Sequence, residues 1–493
     1  MRSSGVLMHI SSLPSPGGIG SLGREAYEFA DFLQASGFHI WQVLPVGPTG
    51  YGESPYQSSS VFAGNPLLIS CRSLREEGLL LYEDREEYVP ADPEKVDYDE
   101  VRKNKTMLLR RCYDQSAAGL SRQLDLFRAE HPWVEDFALF TAVKHHFGDK
   151  MYSQWPDRAI VLRKPDAVRK YSEMLKDDIC FHVFCQYLFR HQWFAFRQYC
   201  NQRGILIFGD MPIYVAEDSA DTWTAPEIFQ LDRNRVPKRV AGVPPDYFSE
   251  KGQLWGNPLY RWKKLRRRGY DWWVSRMKGM AEMYDMIRID HFVGFANYYS
   301  VRHGMPDARK GRWVIGPGKD LFEVLKREIP DIRIIAEDLG CVNDRVLALL
   351  RWCGYPGMKV LTFGFDGDET NPHFPSNYTA NTVAYTGTHD NDTVAGWTAS
   401  ASGEALALAM KTLDFSDPEE APEAFIRYLF RTPCDTVIIP MQDILHLGTE
   451  ARMNYPGTVG GNWLWRMKPD QLSLELSMKY SKLNQETDRR TTR

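Results

Sequence analysis

The sequence lacks several features that would assign it to a specialised class of protein. It has no low-complexity block, no CxxC pair among its eight cysteines, and a net charge of only -4 over 493 residues. So small a net charge gives no electrostatic argument for nucleic-acid binding, and scattered cysteines indicate neither a zinc site nor a disulfide framework. We therefore expect reduced, mostly packed thiols and no nucleic-acid partner.

Long hydrophobic runs are also missing. No stretch approaches the ~20 apolar residues of a membrane-spanning helix, and residues 1–13 contain no basic segment followed by a long apolar run. These absences predict no membrane association and a cytoplasmic location. The hydrophobic fraction of 43% is typical of an ordinary globular protein.

Short apolar or β-branched runs, separated by helical stretches, recur along the chain. Such alternation is typical of a parallel α/β architecture. The runs lie at residues 5–9, 39–45, 205–210, 286–290, 333–337, 358–363, 382–385 and 435–441. Helices are predicted between several of them, at 26–36, 181–203, 321–328 and 343–352. A (β/α)8 TIM barrel is the simplest α/β fold with eight such strands.

The spacing of the predicted strands is uneven. Roughly 160 residues separate the second strand from the third and roughly 75 separate the third from the fourth, which is too long for plain loops. We therefore expect a single catalytic barrel over residues 1–493, with a mostly helical insertion at 50–200 and a second insertion at 211–285. The polar end at 485–493 is expected to fray.

Carboxylates recur where the predicted strands end. Asp210, Asp290 and Glu337 end the third, fourth and fifth strands, and His389 and Asp390 follow the seventh. Any one of them could be a helix cap or a loop salt bridge. Burying several carboxylates is costly, however, and the C-terminal strand ends of a barrel meet at one mouth. Their joint placement therefore predicts a catalytic site.

Two of these carboxylates have different neighbours. Arg288 lies two residues before Asp290, so both side chains point the same way, and the guanidinium is expected to lower the pKa of Asp290. A structural ion pair at the barrel rim is the alternative. Glu337 has only Arg333, at the opposite strand end, and is expected to keep the raised pKa of a proton donor. A nucleophile and a general acid/base on adjacent strands, ~4.8 Å apart, fit retaining glycoside chemistry.

Aromatic residues in loops rich in glycine and proline suggest a sugar-binding surface. Pyranose rings present apolar C–H faces that stack on aromatic rings. Most of the 14 tryptophans are expected to be packing residues, but a loop aromatic is less easily explained by the core. The candidates are Trp255, Tyr51, Tyr56 and Tyr247.

Eight long motifs carry a family resemblance. They read HISSLPSPGGIGSLG from His9, SPYQSSSVFAGNP from Ser54, GDMPIYVAEDSADTW from Gly209, AGVPPDYFSEKGQLWGNPLY from Ala241, RIDHFVGF from Arg288, AEDLG from Ala336, GTHDN from Gly387 and EARMNYPGT from Glu450. In this order they resemble the amylomaltases, or 4-α-glucanotransferases, of glycoside hydrolase family 77 nearly end to end.

The resemblance implies a (β/α)8 barrel that moves a 1,4-α-glucan segment to the 4-hydroxyl of an acceptor. Asp290 matches the nucleophile, Glu337 the acid/base, and Asp390 the third carboxylate, which stabilises the transition state. The positions that match sugar-binding residues are Arg288, His389, Asp210, Trp255, Tyr56, Tyr247, Asp246, Asn454 and Tyr51. The implied partners are maltodextrins and α-glucans derived from starch or glycogen, with glucose or maltose as acceptor, and no cofactor or metal.

Three other functions fit part of the pattern. A metal-dependent barrel enzyme would use the same carboxylates for Mg²⁺, although Arg288 beside Asp290 would repel the cation. An inactive glucan-binding protein would use the same cleft, and an α-amylase-like hydrolase would use the same carboxylates. Transfer depends on water exclusion and an oriented acceptor. The loop 242–250, stiffened by two prolines, is predicted to cover the substrate.

Overall fold

A barrel-forming parallel sheet lies at the centre of the computed structural model, which describes residues 2–245 and 249–489. Its strands are β1 Ser3–Leu7, β2 Ile40–Gln42, β3 Leu206–Met211, β6 Met286–Ile289, β9 Arg333–Ala336, β10 Gly357–Val360, β11 Thr382–Tyr385 and β12 Thr436–Pro440. Their order is β10-β11-β12-β1-β2-β3-β6-β9. The N–H of Ala336 donates to the carbonyl of Pro356 at 2.9 Å and links the two ends of the sheet. The predicted TIM barrel and its eight strands are confirmed.

Helices surround the barrel and fill the connections between its strands. Within the described ranges they are α1 Arg24–Ala35, α2 Cys71–Glu76, α3 Tyr98–Ser116, α4 Ser121–Glu130, α5 Trp133–His146, α6 Arg158–Val161, α7 Pro165–Met174, α8 Lys176–Gln202, α9 Ala220–Thr224, α10 Trp262–Arg267, α11 Asp271–Met283, α12 Val293–Ala296, α13 Lys319–Glu328, α14 Asp344–Cys353, α15 Val394–Ser400, α16 Gly403–Leu413, α17 Ala421–Arg431, α18 Met441–Ile444 and α19 Leu474–Glu486. The four helices predicted from the sequence correspond to α1, α8, α13 and α14. The side chain of Asn343 caps α14 by accepting from two backbone N–H groups.

The barrel strands are apolar along nearly their whole length because helices cover the outside and side chains fill the inside. Every residue of β12, with the sequence TVIIP, is buried. Ile207, Ile287 and Ile438 are fully buried in the same large core. This continuity explains why the strands can be recognised from short apolar runs.

A second apolar core lies within the long connection between β2 and β3. It contains Val134, Phe140 and Trp155, and Trp223 from α9 joins it after β3. Trp223 also donates from its indole N–H to the carbonyl of Ile160 at 3.0 Å. The connections that follow β2 and β3 therefore pack against each other on one side of the barrel. The boundaries of the two insertions stay predictions.

A small antiparallel sheet, which the sequence analysis did not predict, lies beside the barrel mouth. Its strands, in the order β5-β4-β7-β8, are β4 Arg239–Val243, β5 Gln253–Pro258, β7 Asn297–Arg302 and β8 Gly311–Ile315. Two of them precede β6 and two follow it, so the sheet joins two connections. It carries Trp255 on β5.

The described end of the chain is ordered by one buried arginine. Arg489 is fully buried and donates to the carbonyls of Phe430 at 2.8 Å and Cys434 at 3.0 Å. The prediction of a frayed end at 485–493 is therefore wrong for residues 485–489. A polar composition does not reveal that a guanidinium can bind several carbonyl groups at once.

Two further expectations concern the cysteines and the membrane. Free thiols are found at Cys71, Cys112, Cys180, Cys185, Cys200, Cys353 and Cys434, and most of them are buried. Within residues 2–245 and 249–489, no helix has the length and apolar character needed to span a membrane.

Candidate active site

Strand register brings the two central carboxylates to neighbouring positions at the barrel mouth. β6 and β9 pair in parallel with Ile289 opposite Ala336. Asp290 and Glu337 are the next residues on these strands, and the N–H of Glu337 donates to the carbonyl of Ile289 at 3.0 Å. Two carboxyl groups predicted from strand ends are therefore held on adjacent strands.

Arg288 lies between two of the predicted carboxylates. Its Nη1 is 2.6 Å from Oδ2 of Asp210, and its Nη2 is 2.9 Å from Oδ1 of Asp290. The Asp210 side chain is fully buried, whereas that of Asp290 is 27% exposed. The guanidinium therefore anchors one carboxylate inside the barrel and orients the other toward the cleft.

The protonation of Asp290 differs from the sequence-based expectation. Burial raises its pKa to about 6, and the attraction of Arg288 opposes this rise without cancelling it. The negative charges of Asp210 and Asp390 raise the pKa further. The prediction of a lowered pKa was therefore wrong, because it counted the cation and omitted burial. Asp290 remains mostly ionised at neutral pH.

Glu337 is more strongly shifted, in the predicted direction. Burial raises its pKa to about 8, and the charge of Asp290 adds to this rise. Its Oε2 accepts the backbone N–H of His291 at 2.6 Å, and its Oε1 accepts that of Leu339 at 2.9 Å. Glu337 is therefore mostly protonated at neutral pH, where Asp290 is mostly ionised.

An aromatic wall stands beside Asp210. The hydroxyl of Tyr56 donates to Oδ2 of Asp210 at 2.8 Å, and its ring stacks on His389 with centroids 5.0 Å apart. Trp463, which the sequence analysis missed, lies 5.8 Å from each of these rings. Burial lowers the pKa of His389, so its ring is uncharged at neutral pH. Aromatic ring faces and hydrogen-bonding groups therefore lie side by side. This arrangement suits a sugar, which has both apolar C–H faces and hydroxyl groups.

Asp390 and Asn454 lie together, and their roles in binding the sugar stay predictions. Nδ2 of Asn454 donates to Oδ1 of Asp390 at 2.6 Å. Nε2 of His389 is 3.4 Å from the same oxygen, and Arg452 donates to the backbone carbonyl of Asp390 at 2.7 Å. The Asp390 side chain is 43% exposed and faces a more open part of the site than Asp210.

Trp255 contacts His291, a residue next to the candidate nucleophile that was not predicted as part of the site. Its ring meets that of His291 edge to face, with centroids 4.8 Å apart. His291 follows Asp290 directly and donates its backbone N–H to Glu337. Its position directly after a candidate nucleophile was the available sequence signal, because every residue type except proline carries a backbone N–H, and this contact does not depend on the side chain.

Some predicted site residues cannot be placed. Asp246 and Tyr247 lie outside the described residues, so the covering loop 242–250 is described only at its two ends. Tyr51 begins the short 3-10 helix Tyr51–Glu53, and its side chain also lies outside the described part of the structure. Their sugar-binding roles stay predictions.

A cavity of about 650 Å³ adjoins the cluster at Tyr56 and Asp210 and extends past Phe62 and Trp133. Its volume is within the range of pockets that bind organic ligands. Across residues 2–245 and 249–489, no group of three or more His, Cys, Asp or Glu side chains is arranged to hold a metal ion. The lining of this cavity includes Tyr56 and Asp210 but not Asp290 or Glu337. The site itself combines aromatic rings with carboxyl groups in different protonation states.

Comparison with known proteins gives this arrangement a family. Residues 8–473 match the family model of the 4-alpha-glucanotransferases. The 4-alpha-glucanotransferases of Clostridium butyricum and Thermus thermophilus are each 44% identical to the chain, with coverage of 97% of this chain and 98% of the former, and 99% of both chains for the latter. The amylomaltase of Streptococcus agalactiae, solved in complex with acarbose, superposes with a TM-score of 0.98 at 42% identity over the whole of both chains. The chain therefore belongs to the 4-alpha-glucanotransferase family and is an enzyme of this type.

Proposed function

We propose that the enzyme transfers a segment of a 1,4-α-D-glucan to the 4-hydroxyl of an acceptor glucose or glucan by a retaining double displacement. Asp290 is the nucleophile, Glu337 the general acid/base, and Asp390 the carboxylate that stabilises the transition state. One observation carries this proposal: Asp290 and Glu337 end adjacent strands at the barrel mouth, and Asp290 pairs with Arg288. Burial raises the pKa of Glu337 above that of Asp290, which places an ionised carboxyl group beside a protonated one.

In the first step, a carboxylate oxygen of Asp290 attacks the anomeric carbon of the donor glucan. The bond between that carbon and the glycosidic oxygen breaks, and Glu337 gives its proton to the departing oxygen. The leaving chain departs with a free 4-hydroxyl, and a covalent glycosyl ester remains on Asp290. Arg288 favours this step by holding Asp290 ionised and directed at the cleft.

In the second step, the 4-hydroxyl of an acceptor attacks the same anomeric carbon. Glu337, now a carboxylate, takes the hydroxyl proton, and the ester bond to Asp290 breaks. Two inversions restore the α configuration. A pKa of about 8 suits both roles of Glu337, since it lies close to neutral pH.

The donor sugar is held by the groups that surround the nucleophile. Arg288 and Asp210 provide charged hydrogen-bonding groups, and His389 and Tyr56 provide a flat surface with polar edges. Asn454 orients Asp390. Trp255, Asp246 and Tyr247 are assigned to the covering region, and Tyr51 to a more distant glucan contact.

Transfer competes with hydrolysis for the glycosyl ester. Water and acceptor attack the same carbon, so the outcome depends on how well the site excludes water and orients the acceptor. Trp255 and the loop 242–250 supply this cover. Maltodextrins and glucans from starch or glycogen are the proposed donors, and glucose or maltose the small acceptors. The free buried thiols fit a reducing compartment such as the cytoplasm.

The proposal is tested by incubating the purified enzyme with maltotriose, with and without EDTA, and separating the products by chromatography. We expect maltodextrins longer than the donor, unchanged by EDTA and absent for Asp290→Asn. The matched control is Asp285→Asn, at the opposite end of β6, where Asp285 pairs with Arg197 and lies away from the mouth. Its product pattern should follow the wild type.

Each alternative has its own outcome in this assay. Glucose and maltose without longer products would show a hydrolase, and loss of activity with EDTA would show a metal-dependent reaction. Full activity in Asp290→Asn would show that the nucleophile is misplaced.

A further inference from the structure

His291 occupies a backbone conformation that non-glycine residues seldom adopt. Its φ is +52°, in the left-handed region, and it comes directly after Asp290. Histidine and asparagine enter this region more readily than most residues, whereas β-branched residues are strongly disfavoured there. A residue keeps such a conformation when its surroundings require it.

The turn at His291 aims its backbone at Glu337. The N–H of His291 donates to Oε2 of Glu337 at 2.6 Å, and the N–H of the next residue, Phe292, donates to the backbone carbonyl of Glu337 at 3.0 Å. The chain that leaves Asp290 therefore holds Glu337 by both its side chain and its backbone. Hydrogen bonds to a carboxylate favour its ionised form, so this contact limits the rise in the pKa of Glu337.

The ring of His291 faces a different part of the site. It meets Trp255 edge to face at 4.8 Å with an interplanar angle of 87°, and Tyr214 lies 6.5 Å away. Gly294 leaves room for the ring, because a Cβ built there would lie 3.0 Å from Cδ2 of His291. In the described part of the chain, Nε2 of His291 is buried without a hydrogen-bond partner. Nε2 therefore contributes no hydrogen bond that would hold the ring, and Trp255 provides its closest aromatic contact.

We propose that His291 is a positioning residue that holds Glu337 and Trp255 in one fixed relation, using its backbone N–H for the first and its ring for the second. The acid/base carboxyl and an aromatic surface beside the cleft then keep the same separation when a glucan binds. This inference rests on the proposed function, because it assumes that Glu337 exchanges protons with the substrate and that Trp255 contacts it.

The backbone role is tested by comparing His291→Asn with His291→Thr. Both variants lose the ring, but asparagine accepts the left-handed conformation and threonine does not. With maltotriose as donor, we expect the alkaline limb of kcat/KM to stay near the wild-type position in the Asn variant and to move to higher pH in the Thr variant. We also expect kcat to be lower by about tenfold in Thr than in Asn, since the N–H to Oε2 bond is disturbed.

The ring role is tested independently by a double-mutant cycle of His291→Asn and Trp255→Ala, measured as the change in KM for maltotriose. If the ring positions Trp255, the double variant should show about the same rise in KM as the stronger single variant. This cycle does not use the Thr variant and remains decisive if that variant fails to fold. Circular dichroism and thermal unfolding verify the fold of each variant.

Two results would overturn the inference: equal alkaline limbs in the Asn and Thr variants, or KM changes that multiply in the cycle. Neither result affects the proposed function, which is judged by transfer in the wild type. If the wild type makes no products longer than maltotriose, the proposed function fails before His291 is tested.

Discussion

The two halves of the site bury carboxyl groups in different ways. Asp290 is next to a guanidinium that it shares with Asp210, whereas Glu337 forms no ion pair in the described parts of the chain and receives only backbone N–H groups. Burial raises the pKa of both, to about 6 and about 8. Arg288 opposes the effect of burial on both pKa values, but of these two carboxyl groups it pairs directly with Asp290. The comparison shows that a direct ion pair goes with the lower pKa, whereas a buried carboxyl that receives backbone N–H groups has the higher one.

The largest expected effects come from replacing each carboxyl by its amide. Asp290→Asn should reduce kcat with maltotriose by about 10⁴-fold or more, because the variant lacks the proposed nucleophile. Glu337→Gln should reduce it by about 10³-fold, because the leaving oxygen is no longer protonated. Assays with α-maltosyl fluoride separate the two roles, since fluoride leaves without protonation. Fluoride release should persist for Glu337→Gln and be lost for Asp290→Asn.

Equal loss of fluoride release in both variants would contradict this division of roles. It would mean that Glu337 is needed for the geometry of the site as well as for proton transfer. Thermal unfolding of the two variants, compared with the wild type, checks that each amide is accommodated without loss of the fold.

Removing the cation should abolish the ion pair that distinguishes Asp290 from Glu337. Arg288→Met is expected to lower kcat/KM by about 10²-fold and to move the acidic limb upward by about one pH unit or more, because Asp290 then protonates more readily. Arg288→Lys keeps the positive charge, so its acidic limb should move less than that of Arg288→Met. Some shift should remain, because a lysine cannot contact both carboxylates in the same way. Arg197→Met, which removes an ion pair with Asp285 at the other end of β6, is the matched control.

The control variant, Arg197→Met, should change the thermal stability and leave the pH profile of kcat/KM unchanged. If Arg288→Met keeps the wild-type acidic limb, that limb belongs to a group other than Asp290.

The wild-type pH profile gives a third comparison. The proposed mechanism requires an ionised Asp290 and a protonated Glu337, so kcat/KM should be bell-shaped with limbs near pH 6 and pH 8. Activity falls on the acid side as Asp290 gains a proton, and on the alkaline side as Glu337 loses one. Each limb should approach about a tenfold loss per pH unit. A rate that still increases through pH 9 would show that Glu337 is not the acid in the first step.

The sequence predicted the barrel well and the site only in part. Strands such as Thr436–Pro440 are continuous apolar runs because both faces are covered, and their ends mark the positions of Asp290 and Glu337. The strand Gly311–Ile315 was missed because most of it is exposed and its partner, Asn297–Arg302, provides the buried residues. Pairing between connections has no local signature.

The details of the site were harder to predict for a different reason. The pKa of Asp290 depends on the balance between burial and Arg288, and spacing along one strand reveals only the cation. The contact of His291 with Glu337 depends on a backbone angle. Such quantities arise from packing around the residue and not from its identity.

The smallest expected effect comes from the hydroxyl of Tyr56, which binds Asp210 beside Arg288. Tyr56→Phe keeps the ring that stacks on His389 and removes the hydrogen bond to Oδ2 of Asp210, an oxygen that Arg288 also holds at 2.6 Å. We expect a loss of about 1 kcal/mol, or about fivefold, in kcat/KM with maltotriose, because Asp210 keeps its ion pair. Tyr56→Ala, which also removes the ring, should cost more. If Tyr56→Phe instead costs more than a hundredfold, the hydroxyl acts on the sugar itself, and the donor is held by Tyr56 as directly as by Arg288.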